Sequence, residues 1–184
     1  MTHSYQPLPL HRLESGTGYF RPRRKDPEQV AIDDPAVSIM TDFDRVAAFA
    51  IELSAPLSKG VEIMVEQAIR ILLVCDADGN IVGVLTSRDI DGDKPNRILS
   101  KAGGVWGDLL VVDVMTLGAK LDALRMEDVL RAWVGDIIAT LRQVNRQYAL
   151  VLDHDPETGK SGVRGIFSLP EIPLRLGLEI GPAL

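Results

Sequence analysis

From residue 37 onward the chain alternates between two kinds of apolar pattern. Val61, Met64, Val65 and Ala68 recur at i, i+3, i+4 and i+7, which lays one apolar stripe along a helix of about 12 residues. Val134, Ile137, Ile138 and Leu141 repeat that spacing further on. Each helical pattern is followed by a short unbroken apolar run, Ile71-Leu72-Leu73-Val74-Cys75 in one place and Tyr148-Ala149-Leu150-Val151-Leu152 in the other. Runs of this length, rich in branched residues and closed by Asp, predict buried strands. Asp76-Ala77-Asp78-Gly79-Asn80 predicts a turn, because Gly and Asn accept the positive φ that a tight hairpin needs. Ile81-Val82-Gly83-Val84-Leu85 predicts the returning strand, and a helix starts near Ser87 with Thr86 or Ser87 as its cap. Each half therefore reads helix, strand, turn, strand, helix.

The two halves are copies. Val37-Ser38-Ile39-Met40-Thr41 returns as Val112-Asp113-Val114-Met115-Thr116, an offset of 75. Leu73-Val74-Cys75-Asp76 returns as Leu150-Val151-Leu152-Asp153, an offset of 77. Gly83-Val84-Leu85-Thr86-Ser87-Arg88-Asp89-Ile90 returns as Gly165-Ile166-Phe167-Ser168-Leu169-Pro170-Glu171-Ile172, an offset of 82. The blocks keep their order, and the last increase falls in a longer hairpin loop, residues 154–162, where insertions belong. The pattern is a tandem repeat of about 75 residues. A unit of that kind has too little core to stand alone, so the two copies are expected to pack face to face. The implied boundaries are 37–111 and 112–184. Ahead of them, residues 1–36 carry Pro7, Pro9, Pro22, Pro27 and Pro35 with Gly16, Gly18 and the basic run Arg21-Pro22-Arg23-Arg24-Lys25. That composition predicts an extended arm, either mobile or laid across a neighbouring surface.

Composition narrows the function. With 46% apolar and 25% charged residues the chain is globular. Lys and Arg total 20 against 26 Asp and Glu, a net charge of −6, which argues against nucleic acid as a partner. Cys75, the one cysteine, sits inside an apolar run and reads as a buried inert thiol, excluding a disulfide framework or a multi-cysteine zinc site. His3, His11 and His154 are scattered. No apolar run reaches the roughly 18–20 residues of a membrane span, and no basic-then-apolar leader is visible, so the expected compartment is the cytoplasm. Asp76-Ala77-Asp78-Gly79-Asn80 and Asp89-Ile90-Asp91-Gly92-Asp93 imitate the start of a calcium loop. The sixth positions (Ile81, Lys94) and twelfth positions (Ser87, Ser100) carry neither the Gly nor the Glu required, and both segments predict turns. There is no nucleophile elbow, phosphate loop or metal-binding His pair. The expectation is a binding module and not an enzyme.

The order hydrophobic-x-hydrophobic-Met-Thr, amphipathic helix, Leu-Val-x-Asp, Asp-Gly, then Gly-hydrophobic-hydrophobic-Thr/Ser-x-x-Asp resembles the cystathionine β-synthase (CBS) domain, here as a tandem pair of the kind called a Bateman module. The likeness covers about residues 37–176. It implies an α/β (α+β) fold of two βαββα repeats packed pseudo-symmetrically through their sheets, standing alone without a catalytic domain. It also implies a cleft for adenosine-containing molecules such as AMP, ADP, ATP or S-adenosylmethionine, none of them a required cofactor. On that basis Asp89 is placed on the ribose, Thr86 near ribose or phosphate, Ser87 and Arg88 near phosphate, and residues 37–41, with Met40 and Thr41, on the base. In the second copy Ser168 and Glu171 take the ribose positions, with Met115 and Thr116 in the segment at the base. This copy departs from the family pattern, because Glu171 stands where Asp is usual and Pro170 precedes it. Arg70, Arg88, Arg142 and Arg146 are further cations within reach of a phosphate. Two plainer readings stay open: Thr86 and Asp89 also spell an N-cap with its N3 acid, and Met40 and Met115 also suit core filling. The function implied is regulatory sensing of an adenosine nucleotide, signalled to an unidentified partner protein, with a homodimer expected. The alternative is a dimerisation or interaction module that needs no nucleotide.

Overall fold

The computed structural model describes residues 30–121, 123–155 and 159–172. Residues 1–29 of the expected arm lie outside this set. Among the described residues, eight strands form two four-stranded sheets. The first contains β2 (Ala50–Glu52), β3 (Ile71–Cys75), β4 (Ile81–Thr86) and β5 (Thr116–Leu117), in that order. The second runs β1 (Thr41–Asp42), β8 (Ser161–Ser168), β7 (Tyr148–His154) and β6 (Ala123–Arg125). In each half a short strand runs parallel to the first strand of the central hairpin, β2 beside β3 and β6 beside β7. Helix α1 (Leu57–Glu66) or α6 (Val134–Gln143) makes the crossover between them. The first hairpin is followed by α2 (Ser87–Asp91) and α3 (Asp93–Ala102). The short helices α4 (Val111–Val114) and α5 (Met126–Val129) complete the set.

The two copies trade their leading segments. Strand β1, at the head of the first copy, pairs antiparallel with β8 of the second, and β5, at the head of the second, pairs with β4 of the first. The repeated glycine makes room for each crossing. A Cβ on Gly83 would collide with the Thr116 carbonyl oxygen, and one on Gly165 would come within 2.6 Å of the Thr41 carbonyl oxygen. The cores are exchanged with the strands. Val111, Val114 and Met115 are buried with Leu72, Val74 and Leu85 of the first half. Ala36, Ile39 and Met40 are buried with Val151, Phe167 and Leu141 of the second. Burying each such side chain stabilises by about 1.5–3 kcal/mol, so each half depends on the other. A third cluster (Leu73, Val84, Leu150 and Ile166) packs the two sheets together.

Some details differ from the sequence reading. Helix α1 buries Leu57, Gly60 and Met64 and leaves Val65 75% exposed. The seam turns because Gly60 lies against the sheet, where an added Cβ would sit 2.8 Å from Leu85 Cδ2. Ala68 is not on that helix: it adopts a φ of +53° beyond the end, and Asn145 does the same at +51° after α6. The segment from Asp89 to Asp93 is not a turn: it is the end of α2, then Gly92 and the start of α3. Residues 32–36, the last of the expected arm, lie along the loop before α6. Ala36 N–H donates to the Ala132 carbonyl, and Val134 N–H to that of Asp34.

Candidate ligand cleft between the sheets

Strand β8 delivers the second copy of the motif. Ser168 ends the strand, and the Glu171 N–H donates back to its carbonyl at 3.0 Å. The exchanged strand β1 lies alongside, with Thr41 opposite Ile166. Thr41, Ser168 and Glu171 line a cavity of about 370 Å³ whose far wall comes from the first half, through Arg70, Ile71 and Leu73. Phe43, Val46, Phe49, Ile69 and Ile166 complete a largely apolar lining. None of the four polar side chains, Thr41, Arg70, Ser168 and Glu171, has a hydrogen-bond or ion-pair partner among the described residues. Such groups beside an apolar surface are available to a ligand.

The first copy treats the same residues differently. Thr86 caps α2, and its Oγ1 accepts from Asp89 N–H at 3.1 Å. Asp89 Oδ2 accepts from the Thr86 N–H at 3.0 Å and from the Thr86 hydroxyl at 2.6 Å. Thr116 Oγ1 donates to Asp89 Oδ1 at 3.3 Å. Both carboxylate oxygens are therefore engaged inside the protein, and Thr86 is buried. Lys94 Nζ fastens the same corner by donating to the carbonyls of Val114 and Met115, at 2.6 and 2.7 Å. Ser87 lines a groove between α1 and α2, while Arg88 is exposed. Met40 and Met115 are buried in the exchanged cores.

The grouping expected from sequence is crossed over. Asp89 was placed with residues 37–41, and Glu171 with residues 112–116. Strand exchange instead puts Thr116 on Asp89 and Thr41 in the cavity with Ser168 and Glu171. Tyr148 stands in the second sheet where Ile71 stands in the first, and both pack against the cluster between the sheets. Burial pushes its phenol up, the Glu171 and Asp89 carboxylates add to this, and Arg70 and Arg88 pull the other way. One ring thus feels the acids of both motif copies.

The family model of the CBS domain matches residues 30–91. The fold of the chain is that of a CBS-domain pair. An uncharacterized conserved protein from Pyrococcus horikoshii superposes with a TM-score of 0.58 at 21% identity, over 84% of this chain and 100% of its own. The CBS-pair protein CBSX2 from Arabidopsis thaliana, solved in complex with AMP, gives a TM-score of 0.50 at 22% identity, over 76% of this chain and 93% of its own. The CBS domain pair of protein MJ0100, in complex with 5′-methylthioadenosine and S-adenosyl-L-methionine, gives 0.53 at 17% identity, over 80% of this chain and 98% of its own. No curated protein matches the chain. Among the described residues no helix is long and apolar enough to cross a membrane, and no group of three or more His, Cys, Asp or Glu is placed to hold a metal ion.

The cavity residues that sequence reasoning passed over are Phe43, Val46, Ala47, Phe49 and Ile69. They lie on irregular backbone, where no periodicity marks them. Their one signal is position, just after Met-Thr or just before the strand.

Proposed function

We propose that this CBS pair is a regulatory module that takes an adenosine-containing ligand in the cavity between its sheets and signals occupancy to a partner protein. The observation that carries the reading is the unpartnered set Thr41, Arg70, Ser168 and Glu171 on an otherwise apolar cavity. Glu171 can accept from both ribose hydroxyls, with Thr41 and Ser168 as flanking donors. Phe43 and Phe49 offer aromatic surface to a base. The complexes of two structural neighbours, with AMP and with S-adenosylmethionine and 5′-methylthioadenosine, support the ligand class. Signalling requires the ligand to favour one packing of the halves over another. The cavity is formed by elements of both, so its filling bears directly on that packing.

Thermal unfolding of ligand-stripped protein against AMP, ADP, ATP and S-adenosylmethionine tests this. Saturation at 100 times the dissociation constant adds about 2.7 kcal/mol, a rise of several degrees. A rise with at least one ligand, lost in Glu171→Ala, is expected; no rise with any of them would sink the reading.

Val65, 75% exposed on α1, favours a second reading, self-association through that helix. Sedimentation of the wild type and Val65→Glu at micromolar concentration tests it, and a wild-type monomer would remove it.

A further inference from the structure

Resting on that reading, we infer that the cavity selects adenosine ligands by charge, taking nucleosides with an uncharged 5′ substituent over AMP, and AMP over ATP. Among the described residues the lining carries one cation, Arg70, and one anion, Glu171, which cancel. Arg88 is exposed and does not line the cavity. A phosphate monoester brings nearly two negative charges at neutral pH, and a triphosphate more. Arg70 offers a bidentate fork to one phosphate group. Further phosphates would meet apolar wall and the Glu171 carboxylate, which repels them. The net charge of −6 also repels polyanions at longer range. An uncharged 5′ end meets no such opposition and gains from the Phe43, Val46 and Phe49 surface.

Titration calorimetry of the full chain with adenosine, 5′-methylthioadenosine, AMP and ATP, at constant ionic strength, decides the matter. Adenosine and 5′-methylthioadenosine are expected to bind at least about tenfold tighter than ATP, with AMP between, as befits opposition by one nearby charge. Glu171→Gln removes that charge and keeps a polar end, so AMP and ATP should gain on adenosine by on the order of tenfold. Arg70→Gln should shift the ratio the opposite way. Ratios are taken within one variant, so a general loss of stability cancels. ATP binding tighter than adenosine, or ratios unmoved in both variants, would overturn charge selection while leaving the nucleotide reading intact. Binding by none of the four would overturn both.

Discussion

The two halves of the molecule carry the same hydroxyl-x-x-acid step at the end of the same strand, and its side chains are bonded differently in each. In the first half Thr86 and Asp89 close on each other and on Thr116. In the second, Ser168 and Glu171 face a cavity with no protein partner among the described residues. The chemistry that caps a helix, an acceptor three residues past a hydroxyl, is also the chemistry that holds a ribose. A carboxylate that already accepts three hydrogen bonds gains little from a ligand. The copy that departs from the family pattern is the one whose polar side chains have no protein partner among the described residues.

The halves agree in how they exchange strands, and the largest expected effects test that agreement. Valine at position 83 or 165 would meet a backbone carbonyl, of Thr116 or of Thr41, which cannot swing aside as a side chain would. Overpacking of this kind costs about 1–3 kcal/mol or more, and displacing the strand also loosens Met115 or Met40 from its exchanged core. Gly83→Val and Gly165→Val are each expected to lower stability in urea by about 3 kcal/mol. Exchange would not be a shared support of both halves if one variant unfolded at the wild-type midpoint.

The next test separates the halves. Asp89→Ala removes the acceptor of the Thr86 N–H and hydroxyl, half of the capping box of α2, and the Thr116 contact, a cost of about 1–2 kcal/mol in stability, with ligand affinity little changed. Glu171→Ala removes an exposed side chain, so stability should stay within about 0.5 kcal/mol while affinity drops about tenfold or more. Chemical denaturation and calorimetry on both variants read the two effects independently. An affinity loss confined to Asp89→Ala would reverse the assignment of the open site.

Much of this was legible in the chain, and what was not has a physical cause. Ile71–Cys75, Ile81–Thr86 and the start of α2 at Ser87 follow from local pattern, as does the buried face of α6 through Val134, Ile137 and Leu141. Strands β1 and β5 are two residues long, too short for a period, and their partners lie in the opposite copy. Sequence order suggested that Thr41 belongs with Asp89, whereas hydrogen bonding across the pair decides otherwise. Met40 and Met115 were marked as base-lining or core-filling, and both are buried in the core. Asp89 is satisfied through bonds of 2.6–3.3 Å, while Glu171 has no side-chain partner among the described residues, a difference that motif spacing does not encode.

The smallest effect concerns how the exchanged strands are held at their edges, where the halves differ again. Arg164 on β8 pairs with Asp42 of β1 through Nε at 2.8 Å and also approaches Asp44 and Asp153. The corresponding residues of the other sheet are Val82 and Leu117, which carry no charge. The Arg164 guanidinium holds the Asp42 carboxyl below its ordinary value of 3.8. A depressed carboxylate stabilises fully above that value and loses its contribution as the pH falls through the lowered one. Asp42 and Arg164 keep 14% and 30% side-chain exposure, so solvent holds the contribution to about 1 kcal/mol. Acidification below pH 3.8 should therefore loosen β1 from β8 before β5 leaves β4, seen as earlier amide exchange at Phe43, whose N–H donates to the Arg164 carbonyl. In Arg164→Leu that acid-dependent step should flatten while stability at neutral pH falls by a similar amount. An unchanged acid profile in the variant would show that the two edges are held alike.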